Sequence, residues 1–183
     1  MKKIISLIIG LSVLISLSGC LQNKIDNATT PPLTPKKPST STNLSKSPLF
    51  SKKLSTFQKK KIQLNTLKNK IIILDFWATW CPPCVAEIPH FIELQNEHKN
   101  VQMIGIGLDI EKNDIETFIE KHNVNYPIIH GDSSLMSIVQ KEFGYINSIP
   151  TTYIIDENFK IIEKIVGYKD KAYFKNIIQR LSN

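Results

Sequence analysis

Acidic side chains are almost missing from the first third of this 183-residue sequence. Residues 1–61 hold Asp26 as their one acid against eleven lysines, a local charge of +10 in a chain whose total is +7. Residues 62–183 carry 12 basic and 15 acidic side chains and are mildly acidic, at −3. A nucleic-acid surface would need its positive charge on the folded part, so no nucleic-acid partner is expected. Other absences narrow the field further. There is no second Cys-x-x-Cys and no closely spaced histidine pair; His90, His98, His122 and His130 are scattered. A structural zinc wants four ligands, so no metal site is expected. Gly105-Ile106-Gly107 lacks the third glycine and the following helix start of a dinucleotide fingerprint. No internal repeat is visible. Ile4 to Leu17 is an uncharged run of only 14 residues, short of the roughly 20 that span a bilayer comfortably.

What is present reads as one globular domain with an N-terminal extension. Hydrophobic residues make up 42% of the chain and charged residues 21%, the balance of a folded protein rather than a disordered or collagenous one. Lys2 and Lys3, followed by the Ile/Leu-rich run, have the layout of a signal peptide. The run ends in Leu17-Ser18-Gly19-Cys20, where small residues leave the backbone open to a processing enzyme and the thiol is an acceptor for lipid. This tetrapeptide resembles the bacterial lipobox, which implies cleavage before Cys20 and lipidation of that residue. The alternative is an uncleaved anchor, and both put the rest of the chain outside the cytoplasm. From Leu21 to Pro48 the sequence is rich in Pro, Ser, Thr and Lys, with too little apolar surface to offset its ordering entropy. Its lysines fit either a solvated stalk or attraction to anionic headgroups, worth roughly 1 kcal/mol each near the surface. The expected organisation is a lipoprotein signal peptide over 1–19, a lipid anchor and disordered basic stalk over 20–49, and a folded domain over 50–183.

Within that domain Phe57, Ile62 and Leu64 predict a short hairpin. Ile71 to Phe76 is a continuous apolar run broken only by Asp75, as expected for a central strand covered on both faces. Val85, Ile88, Phe91, Ile92 and Leu94 recur at helical spacing from Cys81 to about His98, with Pro89 inside. Val101 to Gly107 predicts a second buried strand, Asp114 to His122 a helix, Ile128-Ile129 a short strand and Ser134 to Phe143 another helix. Thr151 to Ile155 and Lys160 to Val166 predict adjacent strands, and Asp170 caps a last helix to Leu181 that buries Phe174, Ile177 and Ile178. Strands alternating with helices and ending in a hairpin plus helix give an α/β fold, a mixed central sheet flanked by helices.

The chemistry is concentrated in Asp75-Phe76-Trp77-Ala78-Thr79-Trp80-Cys81-Pro82-Pro83-Cys84, where a buried strand ends and a helix opens. A cysteine there meets the helix dipole and unpaired amide donors, which favour thiolate over thiol. A spacing of three puts Cys84 one turn further on, within bonding distance. Cys81 is then the exposed nucleophile that attacks a disulfide, and Cys84 the more buried thiol that resolves it. Pro82 and Pro83 both lack an N–H, so two of the donors that would face Cys81 are missing. That predicts a moderately lowered thiol pKa and a reducing poise. A purely structural disulfide would close a tiny loop and add little stability.

Trp80-Cys81-Pro82-Pro83-Cys84 after an apolar strand resembles the thioredoxin active site, and residues 50–183 resemble the TlpA/ResA branch of the thioredoxin superfamily. The resemblance implies a thioredoxin-like fold with a TlpA/ResA-type insertion, here from about Asp109 to Tyr126. It implies reduction of disulfides in exported proteins such as apocytochrome c, with electrons from a membrane protein and no metal or organic cofactor, by a monomer. Ile149-Pro150-Thr151 resembles the family's cis-proline loop, which offers backbone groups to the substrate chain, and Trp80 shields the sulfurs. Asp75 matches the buried carboxylate of thioredoxin that helps deprotonate the resolving cysteine, an acid often lacking in membrane-anchored relatives; a plain strand-end Asp is the alternative. Glu87 matches a glutamate that ResA-like proteins place beside the pair, against a solvated helix position. Trp77 is assigned to the core, and Pro83 and Pro89 match prolines that shape the helix. A peroxide-reducing redoxin would want Thr-x-x-Cys, and Thr79 lies only two residues before Cys81. A non-catalytic binding lipoprotein would need no combination of Cys81, Cys84 and Pro150.

Overall fold

The structure is a computed structural model that describes residues 43–183. The expected signal peptide, Cys20 and the stalk up to residue 42 lie outside the described residues.

The chain enters through a clasp. Pro48 opens a short helix α1 (Pro48–Ser51), whose Phe50 N–H is capped by the Ser47 hydroxyl at 3.3 Å. Leu44, Leu49 and Phe50 are all buried against Ile72, Leu74 and Phe76 of the sheet. The Leu49 N–H donates to Glu142 Oε1 at 2.8 Å. The packed unit therefore starts before Phe50, where the sequence pattern places its edge. Three apolar residues spread over a few turns carry no period long enough to read.

Strands β1 (Leu54–Ser55) and β2 (Lys61–Ile62) pair antiparallel as the expected hairpin, with Phe57 in the connection and Leu64 turning into a 3₁₀ segment rather than extending β2. All seven residues of β3 (Ile71–Trp77) are buried. Helix α2 (Pro82–Glu97) follows, then β4 (Val101–Gly107), α3 (Lys112–His122), β5 (Ile128–His130), α4 (Ser133–Phe143), β6 (Thr151–Ile155), β7 (Ile161–Val166) and α5 (Lys171–Leu181). The sheet order is β5-β4-β3-β6-β7; β5, β4 and β3 run parallel, and β6 and β7 are antiparallel to their neighbours. The expected insertion supplies α3, which returns the chain so that β5 extends the parallel part of the sheet.

Alternation along β3 divides the core. Ile72, Leu74 and Phe76 face α1 and α4, through Leu49, Leu135 and Val139. Ile71, Ile73 and Trp77 face α2 and α5, through Ile88, Phe91, Phe174 and Ile177. Each such large side chain contributes roughly 1.5–3 kcal/mol by leaving water. The register pairs Phe76 with Thr151, so the end of β3 and the start of β6 lie at the same edge of the sheet. The loops that follow one strand and precede the other meet there.

Candidate active site

Cys81 is the N-cap of α2 and is bonded to Cys84, with their Cα atoms 5.3 Å apart. Pro82 and Pro83 occupy the first two helical positions and have no hydrogen to donate. The Cys84 N–H, 3.4 Å from Cys81 Sγ, is the first amide that reaches the sulfur, while Val85 N–H goes to the Cys81 carbonyl at 3.0 Å. The helix dipole therefore acts on Cys81 with a reduced set of donors. Cys81 is 4% exposed and Cys84 1%, the expected order, and both are more enclosed than the term exposed nucleophile implies. Trp80, next to Cys81 in the chain, is 68% exposed. Trp77 is fully buried in the core.

The Ile149–Pro150 bond is cis, and the Ile149 carbonyl oxygen lies 3.8 Å from Cys81 Sγ. The loop is held from both sides. Gly167 N–H donates to the Pro150 carbonyl at 2.8 Å, and the Thr151 hydroxyl donates to the Ser148 carbonyl at 2.7 Å. Gly167 sits at a φ of +84°, where a side chain would be strained. Trp80, Cys81, Ile149, Pro150 and Thr151 are thus brought to one edge of the sheet.

Asp75 on β3 and Glu87 on α2 are both buried. Asp75 stands opposite Gly105 on one side and Thr152 on the other, and Thr152 Oγ1 donates to its Oδ1 at 3.1 Å. Burial, with a lesser contribution from the Glu87 charge, holds the Asp75 pKa well above the ordinary carboxylate range, against the opposing Thr152 hydrogen bond. Glu87 is 0% exposed, so it is not a solvated helix position. Its Oε1 accepts the Lys169 N–H at 2.7 Å, and its Oε2 has no partner among the described residues. Burial raises Glu87 to about 7, with the Lys169 amide and ammonium opposing. Tyr126 was not foreseen. It is buried, its hydroxyl has no partner among the described residues, and burial plus the Asp75 and Glu87 charges push its pKa up. A lone tyrosine before Pro127 carries no sequence signal for burial beside these carboxyl groups, and Thr152 meets Asp75 through strand register alone.

The histidines stay apart. His90 Nε2 meets the Tyr168 hydroxyl at 3.1 Å, His122 stacks on Phe118, His98 caps α2, and His130 Nε2 lies 3.0 Å from the Asp109 carbonyl. Among the described residues no three metal-ligating side chains are grouped.

A cysteine pair at the mouth of the helix that follows the central strand, faced by a cis-proline loop on a five-stranded mixed sheet, defines a thioredoxin-like thiol–disulfide oxidoreductase. Known proteins place it more closely. Residues 45–164 match the model of the AhpC/TSA family, and the chain belongs to that family. It is 32% identical over 125 residues to the thiol-disulfide oxidoreductase ResA of Bacillus cereus (strain ZK / E33L), covering 67% of this chain and 70% of that protein. The crystal structure of a thioredoxin-family thiol:disulfide interchange protein from Chlorobium tepidum TLS matches with a TM-score of 0.68 at 28% identity, over 75% of this chain and 97% of that one. StoA from Bacillus subtilis matches with a TM-score of 0.59 at 25% identity, over 68% of this chain and 93% of that one. The fold and the enzyme class implied by the TlpA/ResA resemblance are those of the protein.

Proposed function

We propose that the protein is a membrane-anchored reductase that works outside the cytoplasm on disulfides of exported proteins, apocytochrome c being the type of substrate. The lipobox-like Leu17-Ser18-Gly19-Cys20 supports the anchor, and the likeness to ResA supports the class of chemistry. In the dithiol form Cys81, as thiolate, attacks one sulfur of the substrate disulfide. That bond breaks, the other substrate sulfur leaves as a thiolate that takes a proton from water, and Cys81 is held in a mixed disulfide. Asp75, or Glu87 beside it, takes the Cys84 proton. Cys84 then attacks Cys81 Sγ, closes the Cys81–Cys84 bond and releases the reduced substrate. Two electrons pass to the substrate, and a membrane electron donor restores the dithiol. Trp80 and the Ile149-Pro150-Thr151 backbone hold the substrate chain. The scheme needs no metal or organic cofactor and one copy of the chain.

The observation that carries this reading is the contact of Cys81 with the Ile149 carbonyl of the cis-proline loop, and the raised pKa values of the buried Asp75 and Glu87 support the proton-transfer step. A peroxidase reading finds less support, because Thr79 commits its hydroxyl to Asp109. The test is a redox titration of the full-length protein in glutathione or dithiothreitol buffer, read by thiol alkylation. A reversible two-electron transition near about −270 mV fits a reductase fed by a donor. A value near about −120 mV would reverse the direction of electron flow, and no reversible transition would remove the exchange chemistry. Mass spectrometry of the membrane fraction tests for cleavage and a diacylglyceryl group at Cys20.

A further inference from the structure

The ends of β3 and β4 are joined by a side chain that the exchange chemistry does not use. Ala78 to Cys81 form a turn closed by the Cys81 N–H on the Ala78 carbonyl at 3.2 Å, with Thr79 and Trp80 at its corners. Thr79 commits both of its donors to Asp109. Its N–H lies 3.1 Å from each carboxylate oxygen, and its hydroxyl donates to Oδ1. Asp109 is 3% exposed, and its backbone is fixed on both sides. His130 Nε2 donates to its carbonyl at 3.0 Å, and the preceding Leu108 N–H donates to the Trp77 carbonyl at 2.8 Å. A carboxylate removed from water is costly unless hydrogen-bonded, and among the described residues the donors that reach this one all belong to the turn that carries Trp80 and Cys81. The residue after each end of this staple is large, apolar and exposed: Trp80 at 68% and Ile110 at 90%. Isolated exposed apolar side chains are ordinary; these two are each one residue beyond the same Thr79–Asp109 clamp and are positioned by it together.

The geometry points to Asp109 as a positioning residue. By stapling Thr79 it holds Trp80 and Ile110 as one apolar contact for the polypeptide that carries a substrate disulfide. This rests on the reading that the substrate is a protein. A small disulfide has no chain to lay on Trp80 and Ile110, so its reaction does not draw on the staple.

The test compares reduced full-length wild type with Asp109→Ala, Thr79→Val, Thr79→Ser and Ile110→Ser. Each is mixed in single turnover with insulin and, separately, with glutathione disulfide. Asp109→Ala and Thr79→Val are expected to lower the rate constant toward insulin about tenfold more than that toward glutathione disulfide. Thr79→Ser, which keeps the hydroxyl, restores the wild-type ratio, and Ile110→Ser reproduces part of the loss. In a Trp80→Ala background, Asp109→Ala adds less than about twofold, since the staple acts through Trp80. Thr79→Val and Ile110→Ser keep the test decisive if Asp109→Ala does not fold. Parallel losses toward both disulfides, or no loss toward insulin, overturn the staple's role while insulin reduction by the wild type stands. A wild type that exchanges with glutathione disulfide and not with insulin overturns the protein-substrate reading, and the staple's role with it.

Discussion

The carbonyl oxygen of Ile149 lies 3.8 Å from Sγ of Cys81, although 68 residues separate the two. The contact places Cys81, and not Cys84, against the cis-proline loop, which in the proposed scheme makes Cys81 the attacking sulfur; Cys84 is 1% exposed. Cys81→Ser therefore abolishes disulfide reduction. Cys84→Ser leaves the attack intact and stops the reaction at the mixed disulfide. Mass spectrometry after mixing each variant with insulin distinguishes them: an adduct is expected on Cys84→Ser and none on Cys81→Ser. The opposite pattern would exchange the two roles.

Among the described residues Asp75 has no cation as a hydrogen-bond partner; its Oδ1 accepts from Thr152. Burial and Glu87 keep its pKa high, which suits it to take a proton from Cys84 during resolution. Asp75→Asn is expected to slow decay of the mixed disulfide about a hundredfold at neutral pH, with its formation by Cys81 changed only slightly. Stopped-flow single turnovers separate the two steps. Equal slowing of both would show that Asp75 shapes the site rather than moving the proton.

Glu87 gives a pH dependence with a definite sign. Burial raises its pKa from 4.5 to about 7, so the folded state holds this proton more tightly than the unfolded chain. The stabilisation is complete below the unfolded value and is lost as pH rises through the folded one. Asp75 acts in the same direction. Glu87→Gln keeps an acceptor for the Lys169 N–H and removes the titration. Urea denaturation of the oxidised protein should show the wild type losing on the order of 2–3 kcal/mol relative to Glu87→Gln between those two pH values. A wild type that gains on the variant over that interval would contradict the assignment.

The Cys84 N–H at 3.4 Å is the amide that reaches Cys81 Sγ, because the two prolines before it have none to give. Pro82→His adds an N–H and an imidazole at the helix mouth. It should stabilise the thiolate and raise the reduction potential by about 30 mV for each tenfold gain. Titration in glutathione buffer measures this directly, and an unchanged potential would mean that the missing donors do not set the poise.

Leu44 and Leu49 are 1% and 0% exposed although they precede the apparent start of the domain. Leu44→Ala or Leu49→Ala should each cost about 2–4 kcal/mol in denaturant unfolding. A cost near zero would return the edge of the folded unit to Phe50.

How much could be read in advance depended on whether a signal was local. β3 and β4 are nearly continuous apolar runs, interrupted by Asp75 in one and Gln102 in the other, because a strand covered on both faces has no polar side to alternate with. α5 was legible from Asp170 as cap and from Phe174, Ile177 and Ile178 on one stripe. The clasp at Leu44 to Phe50 was not, since its segments are too short to show a period. Within the site, Cys81, Cys84 and Trp80 are neighbours in sequence and declare themselves together. Thr152 and Asp109 do not, because each gains its partner only when distant segments meet, and Tyr126 acquires its buried surroundings in the same way.

The sequence alone determined the reactive unit: two cysteines three apart at a helix mouth, with two prolines that remove two of its amide donors. Those properties follow from covalent spacing and from the first turn of a helix, and need no other part of the chain. Only the tertiary structure decided the rest. The antiparallel entry of β6 brings Ile149 to Cys81, and α2 packed on the sheet takes Asp75, Glu87 and Tyr126 out of water. A carboxyl group's proton affinity is set by what surrounds it, and those surroundings are supplied by residues far away along the chain.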